Sequence, residues 1–287
     1  MRYYDRKSKK TVEEIEDYQR TLTFLYNTSL GRVCLKTVVA RPWVSNVRAK
    51  YQKSTKSAKD IRPFVQKHKI ALSDETLDNF KSFNDFFIRQ QPTRCSGPKD
   101  ELIAAATSKF SYFPITDDLK LNIKRSKYTI SDILQDNEMA DKFRGGTCLV
   151  FRLAVSDYHH YCHIDDGCII ESKFIPGELH TVRSVSEKYN VYTRNCREVS
   201  LMQTNNLGDV AYIEVGALMV GKICNNKKSE FNKFDEKGYF EFGGSTVVVL
   251  LNKNINICFD EDILRANADG LEAQVEIGER IGLISIS

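Results

Sequence analysis

Little in this chain would staple it or anchor it. None of the eight cysteines (34, 95, 148, 162, 168, 196, 224, 258) belongs to a CxxC pair, and no apolar stretch follows the polar, basic run Met1 to Lys10. A secretory signal is therefore not expected, and reduced thiols in a cytosolic compartment are. The longest aliphatic run, Val247 to Leu251, is far shorter than the roughly 20 residues that cross a bilayer. There is one tryptophan, there are six prolines, and no internal repeat or low-complexity tract is present. The net charge is only +4, and no nucleic-acid-binding motif accompanies it, so nucleic acid is not an expected partner. What remains is a chain of 287 residues, 41% hydrophobic, long enough to hide roughly 75% of its unfolded surface without covalent help.

The hydrophobic pattern changes along the chain, from helix-like to strand-like. Thr11 and Glu14 have capping-box spacing, and Ile15, Tyr18, Leu22 and Leu25 follow at three- and four-residue intervals until Gly31. A second apolar segment, Val33 to Val47, carries Trp43 and is interrupted by Pro42. Between Arg41 and Lys69 stand nine basic residues against the single acid Asp60. The basic run reads either as a solvated helical face or as a patch for anionic lipid headgroups, and the apolar segment beside it either as an interfacial element or as a face packed on the body. Ser82 is placed to cap a short aromatic helix, Phe83 to Arg89. Strands are expected at Glu101 to Ile115, Thr147 to Val155, Cys168 to Phe174, Val210 to Cys224, Tyr239 to Leu251 and Arg280 to Ile286, with a short helix near Ser131 to Leu134. The expected architecture is α+β: a helical, membrane-associating region, residues 1–100, leaning on a β-rich catalytic body, residues 101–287.

Two places concentrate chemistry. In Lys237 to Leu250, aromatic alternation runs into Gly243-Gly244-Ser245-Thr246 and then an apolar strand; two glycines there imply a turn or a close backbone approach. The other is His159, His160, Cys162 and His163. No metal is expected, because neighbouring side chains on a strand point to opposite faces; an unbroken strand would put His159, Tyr161 and His163 on one side.

Taken in order, Phe83-Asn84-Asp85-Phe86-Phe87, Asp157-Tyr158-His159 with Asp165-Asp166-Gly167, Pro176-Gly177-Glu178-Leu179, Val215-Gly216-Ala217 and Gly243-Gly244-Ser245-Thr246 resemble the phosphatidylserine decarboxylase family from about Phe83 to the C-terminus. The resemblance implies a proenzyme that cuts itself between 244 and 245. Ser245 Oγ would attack the Gly244 carbonyl, β-elimination would release residues 1–244, and Ser245 would become a covalent pyruvoyl group, the electron sink for loss of CO2. It further implies a phospholipid substrate. Peripheral attachment to an anionic membrane surface, on its cytoplasmic side, is a separate expectation that rests on Trp43 and on basic residues such as Arg48, Lys50, Lys53, Lys56 and Lys59. Fragments 1–244 and 245–287 would stay associated; assembly into a homo-oligomer is left open. His159 matches the histidine that the family assigns to decarboxylation.

Two positions depart from the family pattern. Thr107 stands where an Asp is usual, and Cys162 where a second His is usual; these two ordinarily complete a protease-like triad with the serine. His163 or His160 could stand in through a bulge, strain and the Thr246 hydroxyl could suffice, or the chain could remain uncut as a silent relative that binds lipid or a partner. A soluble or modified amino acid is the alternative substrate.

Overall fold

The computed structural model describes residues 1–15, 18–35, 37, 42–123, 126–181, 185, 190–217, 222–243 and 245–286. Its body is a ten-stranded sheet in the order Glu230–Phe231, Gly167–Ile175, Arg197–Thr204, Gly208–Gly216, Ser245–Leu251, Thr147–Leu153, Ser108–Pro114, Glu272–Val275, Arg2–Asp5, Lys10–Glu13. All neighbours are antiparallel except Arg2–Asp5, which runs parallel to Glu272–Val275. Both faces of this sheet are covered at its centre, which explains why its central strand is a continuous apolar run rather than an alternating one. Val247, Val249 and Leu251 enter one core with Phe151, Tyr212 and Phe240, while Val248 and Leu250 enter another with Val150, Ile213 and Leu134. A small sheet, Ile223–Asn225, Glu236–Phe240 and His160–Cys162, contributes Tyr161, Cys162 and Phe240 to the first core.

The N-terminus differs from the sequence expectation. Thr11 and Glu14 do not cap a helix: Thr11 pairs with Tyr4 in the Lys10–Glu13 strand, and the first helix starts at Gln19. The reason is tertiary. Buried Arg152 needs carboxylates, and Glu14 supplies one, at 3.0 and 3.2 Å, while Glu272 supplies the other at 2.6 Å. A buried guanidinium left without partners costs several kcal/mol, more than a helix cap returns. Pro42 does not interrupt a helix but begins one, Pro42–Lys53, as its fixed φ favours in a first helical turn. The Trp43 side chain lies outside the described residues. The Ser82 cap is present, accepting from the Asp85 N–H at 3.1 Å ahead of the Phe83–Phe87 helix.

Three expected strands are each divided. Glu101–Ile103 and Ser108–Pro114 are separate, as are Gly208–Gly216 and Ile223–Asn225, and Glu236–Phe240 and Ser245–Leu251. The last break holds the site.

Candidate active site

Ser245 opens the central strand, between Gly216 on one side and Leu153 on the other. Gly243, two residues earlier, has φ of 138°, a conformation that residues with a Cβ rarely adopt. The turn it makes separates Glu236–Phe240 in the small sheet from Ser245–Leu251 in the large one. Gly244, the other glycine singled out in the sequence, lies outside the described residues. The turn is held by its neighbour Phe242, whose ring meets Phe83 and Phe87 edge-on at 5.2 Å each. Phe83, Phe86, Phe87 and Phe242 share an apolar cluster with Ile61, Val65 and Leu77, so the N-terminal helices form one wall of the site.

Ser245 Oγ and Thr246 Oγ1 are fully buried, and neither has a hydrogen-bond partner among the described residues. Buried hydroxyls are normally satisfied, and each exception asks for an explanation. By strand alternation the two point to opposite faces. Ser245 shares its face with Glu214 and Val247, whereas Thr246 stands beside Arg152 and Val215.

His159 precedes the His160–Cys162 strand and is brought to the turn by pairing: its carbonyl accepts the Phe240 N–H at 3.0 Å. Its ring packs on Phe87, with centroids 4.3 Å apart. Nδ1 lies 2.8 Å from the Asp157 carbonyl, which can only accept, so Nδ1 carries the proton. Nε2 is then the basic nitrogen; it is buried and has no hydrogen-bond partner among the described residues. Burial pushes this imidazole down to about 3, helped by the positive charge of Arg89 and opposed by the backbones of Asp157 and Gly243. The result is a neutral ring with a free lone pair beside the turn that carries Ser245.

The other named histidines are elsewhere. His160 is committed, with Nε2 donating to the Ile88 carbonyl at 3.0 Å, Nδ1 meeting Glu236 at 3.0 Å, and its ring stacked between Tyr158 and Tyr239. His163 does not share a strand face with His159, because the strand covers only His160–Cys162. That strand runs away from Ser245: the Cys162 carbonyl accepts from Tyr212, which pairs with Val249, about 13 Å along the central strand from Ser245. Beyond it, His163 stacks on Phe231 at 3.6 Å, and burial pushes it too down to about 3. The structure thus brings His159, and not His163, to the turn that precedes Ser245.

The two positions that depart from the family pattern are each engaged with a backbone group. Thr107 Oγ1 accepts the Ile277 N–H at 3.1 Å. Cys162 Sγ faces the Ala104 carbonyl at 3.8 Å, and burial pushes its thiol up to about 12. Neither is a charge relay for an imidazole. Sequence reasoning missed a buried ion pair, Lys237 with Glu214, on the face that Ser245 shares; Asn225 and the Tyr212 ring complete its surroundings. A lysine in the aromatic strand and a glutamate in an apolar one were the available signals.

Residues 83–283 match the family model described as phosphatidylserine decarboxylase. The chain is 44% identical over 283 residues to phosphatidylserine decarboxylase proenzyme 2 of Clostridium acetobutylicum, covering 97% of each chain. It is 34% identical over 292 residues to the phosphatidylserine decarboxylase proenzyme of Clostridium tetani, covering 98% of each. With the proenzyme of Fusobacterium nucleatum the identity is 31% over 292 residues, covering 98% of this chain and 97% of the other.

Proposed function

The chain belongs to the phosphatidylserine decarboxylase family, and from that premise we propose that it is a self-cleaving proenzyme that decarboxylates phosphatidylserine to phosphatidylethanolamine. The observation that carries this reading is the pair of buried, unpartnered atoms, Ser245 Oγ and His159 Nε2, gathered at one glycine turn. Leaving both unsatisfied costs about 1 to 3 kcal/mol each, a cost that makes sense where the atoms must be free to react.

In the proposed cleavage, Ser245 Oγ adds to the carbonyl carbon of residue 244 and gives its proton to His159 Nε2. The peptide C–N bond breaks, its nitrogen takes that proton, and an ester links residue 244 to Ser245 Oγ. Nε2 then removes the Ser245 Cα proton, the Cα–Cβ double bond forms and the Cβ–Oγ bond breaks. Residue 244 leaves as a carboxylate. Cβ takes the proton back from Nε2 to become a methyl group, and water replaces the nitrogen of residue 245, which leaves as ammonium, so that a pyruvoyl group remains. An imidazole pushed this low is a weak base, but a reaction that happens once per chain needs availability more than speed.

The residues at hand fit a pyruvoyl group at 245. It needs no separate pocket, since it is made from the residue's own backbone, and the orphaned Oγ is the atom it sheds. Once formed, it supplies a ketone that takes up the electron pair left by a departing carboxyl group. In this reading His159 Nε2 holds and returns the proton that the product carbon needs, and Phe87, packed on His159 and Phe242, helps to exclude water. Fragments 1–244 and 245–287 are expected to stay together, because Ser245–Leu251 is hydrogen-bonded on both edges inside the sheet.

The substrate's place on a membrane is part of the same proposal. No helix among the described residues is long and apolar enough to cross a bilayer. The N-terminal helices expose Phe24, Leu30, Val33 and Val47, and Lys50, Lys56, Lys59 and Lys69 are exposed as well. Apolar residues together with unneutralised lysines suit peripheral attachment to an anionic surface on the cytoplasmic side. The test is release of CO2 from phosphatidylserine vesicles with formation of the amine lipid. Wild type should do both and Ser245→Ala neither; turnover of a free amino acid in preference to the lipid would overturn the assignment.

A further inference from the structure

Arg89 follows the Phe83–Phe87 helix and is only 9% exposed. It is locked from three sides. Nη1 donates to the Phe86 carbonyl at 3.1 Å, the guanidinium lies 4.6 Å over the Phe86 ring, and the Gln91 amide oxygen, turned toward it, accepts at 2.7 and 3.0 Å. All of these partners are neutral. The side chain lines a cavity of about 560 Å3 together with Tyr158, Asp157, Arg94, Glu276, Glu279 and Arg280.

Every other charge on that wall is already paired. Arg94 meets Glu101 at 2.6 Å, Asp157 meets Lys109 at 2.7 Å, Glu279 meets Arg6 at 2.8 Å, Arg280 meets Asp260 at 3.2 Å, and Glu276 meets Lys7. Arg89 alone among these lining charges has no carboxylate, and burial depresses its pKa. A buried cation without a counter-ion is costly unless one arrives with a ligand. The cavity has the size of a ligand site, and a rigid guanidinium fork matches tetrahedral oxyanions.

We propose that the Arg89 cavity is a phosphate-binding subsite that holds the phosphodiester of a phospholipid headgroup; the lipid half of this assignment rests on the function proposed above. The choice of phosphodiester over carboxylate follows from the chemistry. A cation fixed on the carboxylate would stabilise the charge that decarboxylation must remove, whereas the phosphodiester keeps its charge from substrate to product. Position agrees: Asp157 and Tyr158, on the cavity wall, lead directly into His159, and the Arg89 charge is felt at the His159 ring. In phosphatidylserine the phosphorus is three bonds from the carbon that bears the carboxyl group.

Calorimetric titration of the full-length Ser245→Ala protein, which cannot turn over, tests this with inorganic phosphate, glycerophosphoserine and serine as probes. Both phosphate compounds should bind and serine should not. Arg89→Gln should weaken both at least tenfold, in keeping with a charge-assisted contact. Arg89→Lys, which keeps the charge but not the fork, should fall between, and it carries the test if Arg89→Gln does not fold. Binding of inorganic phosphate without glycerophosphoserine would overturn the headgroup assignment; no phosphate binding, or binding that ignores Arg89, would overturn the subsite. No turnover is involved, so an inactive protein would leave these outcomes standing.

Discussion

If His159 Nε2 is the base for self-cleavage, the rate should be nearly independent of pH across a range in which an ordinary histidine would titrate. An imidazole with the usual value of 6.5 is about 3% neutral at pH 5 and about 97% neutral at pH 8, so cleavage would slow about 30-fold between them. Here burial pushes the ring down to about 3, and it stays about 99% neutral at pH 5. Newly translated chain, followed on denaturing gels from pH 5 to 8 with circular dichroism to confirm folding, should therefore mature at rates that agree within about twofold. His159→Asn should slow maturation by about 10² to 10⁴, the usual contribution of a positioned general base. A tenfold or greater fall in rate toward pH 5 in folded protein, or normal maturation of His159→Asn, would refute the assignment.

Three further outcomes follow from the packing. Gly243→Ala imposes a Cβ at φ of 138°, which should cost about 1 to 3 kcal/mol in chemical denaturation and slow maturation by displacing the turn. Lys237→Met strands the Glu214 carboxylate in the core and should cost about 3 to 5 kcal/mol, while the double change with Glu214→Leu should recover most of that loss; a double loss equal to the sum of the two single losses would show that the pair is not coupled. His159 and His163 take up protons near 6.5 when unfolded but only near 3 when folded. Their stabilisation is therefore complete above pH 6.5 and is lost as pH falls, by about 1.4 kcal/mol per unit for each. His163→Phe, which keeps the stack on Phe231, should remove about half of that slope.

Strand content was legible wherever period and punctuation agreed. Thr147 to Val155 and Cys168 to Phe174 were expected as strands, and the structure has Thr147–Leu153 and Gly167–Ile175. The Thr11–Glu14 spacing misled because a buried arginine 138 residues away decides where Glu14 goes, and local spacing carries no trace of that. The glycine turn was legible because only glycine accepts such a φ cheaply. His163 was paired with His159 on the assumption of an unbroken strand; where the strand ends is set by its three-residue pairing with Glu236–Phe240. The wall formed by Phe87 and Phe242 could not be read from spacing, since it joins a helix to a turn more than 150 residues later.

The most direct measurement is the intact mass of the freshly purified protein under denaturing conditions. Two chains are predicted: residues 1–244 with a free carboxyl end, and residues 245–287 beginning with a carbonyl that reacts with phenylhydrazine. Ser245→Ala should give one chain with no such carbonyl. A single uncut wild-type chain that persists under folding conditions would contradict the account.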